Sequence, residues 1–297
     1  MRPRAVSRRR DGSPMMGRRA VLAAITGLVA PPLRPARADR PIYFGLTPVF
    51  LDSDIELLAA LQDYLSKRLG QPVTLVKRRT YQEITAMLLS EQLDAAWICG
   101  FPLVQHVDQL ALMAVPVWQG QPLYRSYLIA GADDPVQSIV DLRGSVHAFS
   151  DPDSNSGYLV TRHLLTTMHE RPDSFFSRYF FTYGHRDVIR AVAAGLAQSG
   201  SVDGYVWEVV REIEPRLTDG TRIVRRSELL GFPPVACNAQ LRDKPTVKAI
   251  ADALVTMDGD ERGRQLLRTL RLDRFVTGSL GLFDGIAEKY REVQAQS

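Results

Sequence analysis

The stretch IYFGLTPVFLDSDIELLAALQDYLSKRLGQPVTLVKRRTYQEITAMLLSEQLDAAWI, residues 42–98, decides the fold. It opens on Ile42-Tyr43-Phe44-Gly45-Leu46, a short apolar run stopped by Thr47-Pro48, which reads as a strand. Asp54 to Leu69 then sets Ile55, Leu58, Leu61 and Leu65 on one helical face, with Asp54 as N-cap and Gly70 and Pro72 as the stop. Val73 to Val76 is a second apolar run. Tyr81 to Ser90 is a second helix, with Ile84, Met87 and Leu88 on one side, and Leu93 to Ile98 is a third strand. This alternation predicts a parallel α/β sheet, because parallel neighbours need a crossover long enough to hold a helix.

Downstream the same grammar repeats. Leu110 to Trp118 and Tyr124 to Ala130 are extended, apolar and separated by Gly120-Gln121-Pro122. A second series follows: a short helix or turn over 140–144, a strand over 145–149, a helix over 157–169 and a strand over 179–183. A helix over 186–197 and a strand over 202–206 complete it. The chain is extended again over 221–225 and 233–239, then helical over 247–257, 261–270 and 283–294. About 259 residues remain after an N-terminal leader, more than one core comfortably holds. The expectation is two α/β lobes, residues 39–127 plus 236–297 and residues 128–235, each a mixed, mostly parallel sheet flanked by helices. Two extended hinge crossings, near 125–131 and 232–239, join them. In open α/β sheets ligands sit beyond the C-terminal strand ends, and two such lobes facing each other form a cleft that hinge closure seals.

Residues 1–38 are set apart from that fold. Arg18-Arg19 precede an apolar run from Ala20 to Ala30, and Ala36-Arg37-Ala38 has the small-x-small form of a cleavage site. A basic start, a short apolar centre and a small-residue exit predict a secretory signal cleaved after about Ala38, by the general or the twin-arginine route. The apolar run is too short to span a bilayer as a helix. The whole chain carries +4, and residues 1–38 hold nine arginines and one aspartate, so the chain from Asp39 carries −4. A mildly acidic mature chain without a basic stripe argues against nucleic acid as a partner. Two cysteines, Cys99 and Cys237, leave one bridge or two free thiols open.

The segment Phe149-Ser150-Asp151-Pro152-Asp153-Ser154-Asn155-Ser156-Gly157-Tyr158-Leu159 runs from a strand through a small polar turn into a helix. Unpaired amides and the dipole at a helix start make an anion cradle, to which Ser154, Asn155 and Ser156 add hydroxyl and amide donors. Gly157 is expected to let a ligand approach the backbone. The plainer reading is an ordinary N-cap. His185 sits where a strand meets a helix in Gly184-His185-Arg186-Asp187, placed to donate into the cleft or to be satisfied in the core. In Val202-Asp203-Gly204-Tyr205-Val206-Trp207, Asp203 reads as the opening of a strand with Tyr205 and Trp207 alternating along it. It serves either a ligand's ammonium or hydroxyl, or a turn. Cys99 follows Asp94-Ala95-Ala96-Trp97-Ile98 at the cleft edge, as an inert buried thiol or as a thiol ligand. Tyr124 lies on the first crossing, where alternate side chains reach cleft or core.

Together these segments resemble the phosphate/phosphite/phosphonate-binding family of ABC-transporter substrate-binding proteins. The resemblance rests on Gly45-Leu46-Thr47-Pro48, Asp94-Ala95-Ala96-Trp97, Ser154-Asn155-Ser156-Gly157-Tyr158, Gly184-His185-Arg186-Asp187-Val188-Ile189 and Val202-Asp203-Gly204, in order across the mature chain. It implies a two-lobed periplasmic-binding-protein type II fold, a small oxyanion ligand and an ABC permease as partner. It implies oxyanion contacts at Ser154, Asn155, Ser156 and His185, and a meeting of Asp203 with the ligand's amino end. Two departures stand out: Leu103 occupies a position where phosphonate binders supply a tyrosine, and Val49-Phe50 replaces another. Cys99 is similar in placement to the thiol of arsenite-sensing relatives that report to a sensor kinase, which is the alternative reading. A monomer with no cofactor and no metal is expected. No Gly-x-Ser-x-Gly elbow, P-loop, His-Glu-x-x-His or Cys-x-x-Cys is present, so catalysis is not expected. His163 and His169, six apart, fall on different helix faces.

Overall fold

The computed structural model describes residues 40–47 and 55–296. The leader, the Asp54 cap and the Val49-Phe50 position lie outside the described residues. Strand β1 (Ile42–Leu46) leads to helix α1 (Ile55–Leu69), β2 (Val73–Lys77), α2 (Tyr81–Leu89), β3 (Ala95–Trp97), α3 (Gly100–Gln105) and β4 (Leu110–Val117). β1 runs parallel to β2 on one side and to β3 on the other, with Phe44 opposite both Leu75 and Ala95. The helical crossovers expected from the sequence make that pairing possible.

The chain continues through β5 (Leu123–Tyr124), β6 (Ser126–Gly131) and a 3-10 turn, Ile139–Leu142, to β7 (Val146–Phe149). A π-helical turn, Asn155–Leu159, runs into α4 (Val160–Thr167), followed by α5 (Pro172–Phe175), β8 (Arg178–Phe181), α6 (His185–Ala193) and β9 (Ser199–Asp203). Then come α7 (Gly204–Ile213), α8 (Pro215–Asp219), β10 (Thr221–Arg226), β11 (Leu230–Gly231) and β12 (Val235–Asn238). The last elements are α9 (Pro245–Val255), α10 (Glu261–Leu270), β13 (Arg274–Val276) and α11 (Asp284–Ala295).

Two mixed sheets result. The first has order β13-β4-β12-β3-β1-β2 and the second β10-β6-β9-β7-β8. β12 is antiparallel to β3 and β4, and β6 is antiparallel to β9 and β10. Between the sheets the chain passes twice, through β5 and β11, which pair antiparallel with each other as a short ribbon. The passages therefore lie a few residues before the expected 125–131 and 232–239, whose residues mostly belong to the sheets as β6 and β12. Tyr124, Tyr205 and Phe232 pack ring against ring beside the ribbon.

Several expectations are corrected. Leu61 and Leu65 of the expected stripe are buried on α1, but Ile55 is 80% exposed and Leu58 only partly buried, and Leu57 and Tyr64 complete the buried face. The stripe is turned because α1 packs on α9 and α10, where the Tyr64 hydroxyl donates to the Ala253 carbonyl at 2.8 Å. The proposed strand over 202–206 ends at Asp203, and Tyr205 and Trp207 lie on α7. Asp203 accepts from the Val206 N–H at 3.3 Å and caps that helix. Gly204 begins it because a side chain there would meet the Arg125 carbonyl at 2.7 Å. Helical packing of Val206, Val209 and Val210 outweighs the strand preference of the β-branched and aromatic residues. The helix expected from Gly157 begins at Asn155. Cys99 and Cys237 are both buried free thiols. Among the described residues no helix is long and apolar enough to cross a membrane.

Candidate functional site

All seven residues singled out from the sequence, Cys99, Tyr124, Ser154, Asn155, Ser156, His185 and Asp203, are at most 2% exposed. They come from different elements and converge where the C-terminal ends of β3, β7 and β9 and the start of α6 approach the ribbon. Asn155 is the hub. Its backbone N–H donates to Cys99 Sγ at 3.2 Å, and its Nδ2 donates to the Tyr124 hydroxyl at 2.8 Å. The Ser156 carbonyl accepts from Ser126 Oγ at 2.6 Å. The Tyr124 oxygen thus accepts from the Asn155 amide, which leaves its own proton to give.

His185 has its tautomer fixed by its neighbour. The Asp203 N–H donates to Nδ1 at 3.1 Å, so the ring proton sits on Nε2 and points to the Tyr81 hydroxyl, 3.3 Å away. Burial pushes the imidazole down to about 3, so it is neutral at any physiological pH and donates from Nε2 alone. The same burial pushes Cys99 up to about 12, which makes it a thiol and not a thiolate, and raises Tyr81 and Tyr124 well above the ordinary phenol value. A thiol held this way is a poor nucleophile.

Two carboxylates share the enclosure. Burial raises Asp203 to about 7 and Asp151 to about 6. Asp151 accepts from the Asp153 N–H at 2.8 Å and, across to the first sheet's side, from the Tyr81 N–H at 3.1 Å. It thereby occupies the start of α2, which the Thr80–Glu83 capping box also holds.

Ser154 Oγ accepts from the Gly157 N–H at 3.0 Å, an ordinary N-cap. Gly157 does not serve ligand approach: a Cβ there would lie 1.8 Å from Ser150 Oγ, so its missing side chain makes room for Ser150. Asn155 and Ser156 do face the enclosure. Leu103 is fully buried in α3. Tyr81 and Asp151 were not singled out as site residues. Tyr81 opens a helix that follows the C-terminal end of a strand, the same placement that marked Ser154 and His185, and that position was its available signal.

Two sheets facing one another across a ribbon of paired crossings, with polar side chains buried at their strand ends, define a two-lobed type II periplasmic-binding fold. Residues 44–280 match the family model described as "ABC transporter, phosphonate, periplasmic substrate-binding protein". The chain belongs to that family, whose members are substrate-binding components of transporters. A curated relative, the phosphonates-binding periplasmic protein of Escherichia coli strain K12, is 23% identical over 71% of this chain. The match spans 65% of that relative, just under two thirds of its length. Among solved structures, a binding protein component of an ABC phosphonate transporter from Pseudomonas aeruginosa matches with TM-score 0.79 and 21% identity, covering 87% of this chain and 90% of the other. PhnD1 from Prochlorococcus marinus, solved with methylphosphonate, matches with TM-score 0.74 and 17% identity, covering 85% and 98%.

Proposed function

We propose that this chain is an exported solute-binding protein that encloses a small oxyanion of the phosphonate or phosphate class and presents it to an ABC permease. One observation carries this reading: Tyr81 and Cys99 from one side and Asn155, His185 and Asp203 from the other form a single buried polar cluster. The first sheet with its helices forms one lobe and the second sheet with its helices the other, with β5 and β11 at the hinge in place of the expected boundaries at 127/128 and 235/236. Neutral donors do the binding, namely the phenols of Tyr81 and Tyr124, with the Nε2–H of His185 holding the Tyr81 oxygen in place. Such donors need no reorganisation when charge arrives. Asp203 takes an amino end where the ligand has one. The leader is removed after about Ala38, and the mature protein acts in the periplasm as a monomer. Membership in a family of transport components favours a permease over a sensor kinase as partner.

A thermal-shift screen of the purified protein over phosphate, phosphite, methylphosphonate, sulfate and arsenite tests the reading, with Cys99→Ser run in parallel. Binding to the folded state alone stabilises by about 2.7 kcal/mol at a hundredfold excess over Kd. A melt raised by a phosphorus oxyanion and retained in Cys99→Ser is the expected result. A response to arsenite alone, lost in Cys99→Ser, would replace the phosphonate reading with thiol ligation.

A further inference from the structure

Asn155 Oδ1 is completely buried, and among the described residues it has no hydrogen-bond partner. An orphaned acceptor in a dry site costs about 1–3 kcal/mol unless something donates to it. Its position is fixed at the centre of the cluster, because the same amide gives Nδ2 to Tyr124 and the same residue gives its backbone N–H to Cys99. The groups around it divide unevenly. Tyr81 and Tyr124 keep phenol protons to give, whereas Asp151 and Asp203 bring carboxylate oxygens, and Cys99 and His185 are neutral. None of the hydrogen bonds that tie this cluster together comes from a lysine or an arginine. A dianion would enter beside two carboxylates with no cation among those contacts, a costly burial of like charge.

We propose that Asn155 makes this site selective for an oxyacid that still carries a proton: the ligand donates one O–H to Asn155 Oδ1 while its other oxygens accept from Tyr81 and Tyr124. The inference rests on the oxyanion reading above and narrows it to hydrogen-bearing monoanions or neutral acids. Sulfate, which has no proton to give at neutral pH, is the excluded shape-mate. The departure is on the ligand side, so discrimination comes from an unmade hydrogen bond and not from pocket size.

Titration calorimetry of the purified protein with methylphosphonate, inorganic phosphate and sulfate, from about pH 5.5 to about pH 8.5, tests it. Methylphosphonate affinity is expected to fall about tenfold per pH unit above the ligand's second ionisation, since one proton is then taken up on binding. Sulfate is expected to bind at least about tenfold more weakly throughout. Asn155→Thr places a hydroxyl that can donate as well as accept, so its pH slope is expected to flatten and its sulfate affinity to gain. Asp151 and Asp203 titrate in both proteins, and the difference between them isolates Asn155. Affinity that rises with pH, or equal sulfate and methylphosphonate binding, would mean that the amide presents Nδ2 to the ligand. That would overturn the inference while leaving the oxyanion reading intact. No binding of any of the three at any pH would overturn the oxyanion reading itself, and this inference with it.

Discussion

Gly157 and Asp203 show how single residues hold the cluster. At Gly157 the space a side chain would fill already contains Ser150, whose Oγ would be 1.8 Å and Cβ 2.7 Å from a new Cβ. Gly157→Ala is therefore expected to cost about 1–3 kcal/mol in urea unfolding, with recovery in the Gly157→Ala, Ser150→Gly double variant. Recovery fails if the glycine serves some other contact. Asp203 is held by burial at about 7, above the ordinary 3.8 of its unfolded form. The folded state thus binds the proton more tightly. Its contribution to stability is complete below about pH 4 and is lost as the pH rises through about 7. Asp203→Asn keeps a capping oxygen and removes that loss. Relative to the parent, its melting temperature should rise between about pH 4 and about pH 8, by the equivalent of about 4 kcal/mol at most. A pH-independent difference would show that the carboxyl is not perturbed.

At the scale of elements, the alternating strands and helices over 42–98 were legible because their periods differ sharply: short apolar runs against a 3.6-residue stripe. The same rule misread Tyr205-Val206-Trp207, where residues with strand preference follow Asp-Gly. What turned them helical is the Asp203 cap and the closeness of the Arg125 carbonyl to Gly204, neither of which a local pattern contains. The strand β13 escaped because Arg274–Val276 is three residues long and gains its order only by pairing with β4. Cys99, Asn155 and His185 were legible by their placement at element junctions. Tyr81 was hidden because an aromatic residue at a helix start reads as core until a partner 104 residues away, His185, is seen to meet it. Helix α2 positions that tyrosine, and its capping box is a direct handle. Thr80→Ala should cost about 1 kcal/mol in thermal unfolding and weaken oxyanion binding, because the first turn carries both Tyr81 contacts. Unchanged affinity would detach α2 from the site.

For the whole molecule, enclosure depends on ties between residues of the two sheets' surroundings. The Tyr205 hydroxyl on α7 donates to the Leu270 carbonyl at the end of α10. Arg271 pairs with Glu212, and His163 on α4 lies 2.7 Å from Glu292 on α11. The last two pairs each have a partner about half exposed to solvent and contribute little. Asp151 is different, because its buried carboxyl joins the loop after β7 to the first amide of α2. Asp151→Ala should loosen closure and lower stability in urea unfolding by about 1.5–3 kcal/mol, the value of one hydrogen bond to a charged group, while circular dichroism keeps its native shape. The central claim is that the ligand lies between Tyr81, Asn155 and His185. A crystal structure of the purified protein grown with methylphosphonate tests it most directly. The account predicts phosphonate oxygens within hydrogen-bond reach of the Tyr81 and Tyr124 hydroxyls and of Asn155. Phosphonate bound at the outer surface, with the Asn155–Cys99 contact unchanged and the cluster closed upon itself, would contradict it.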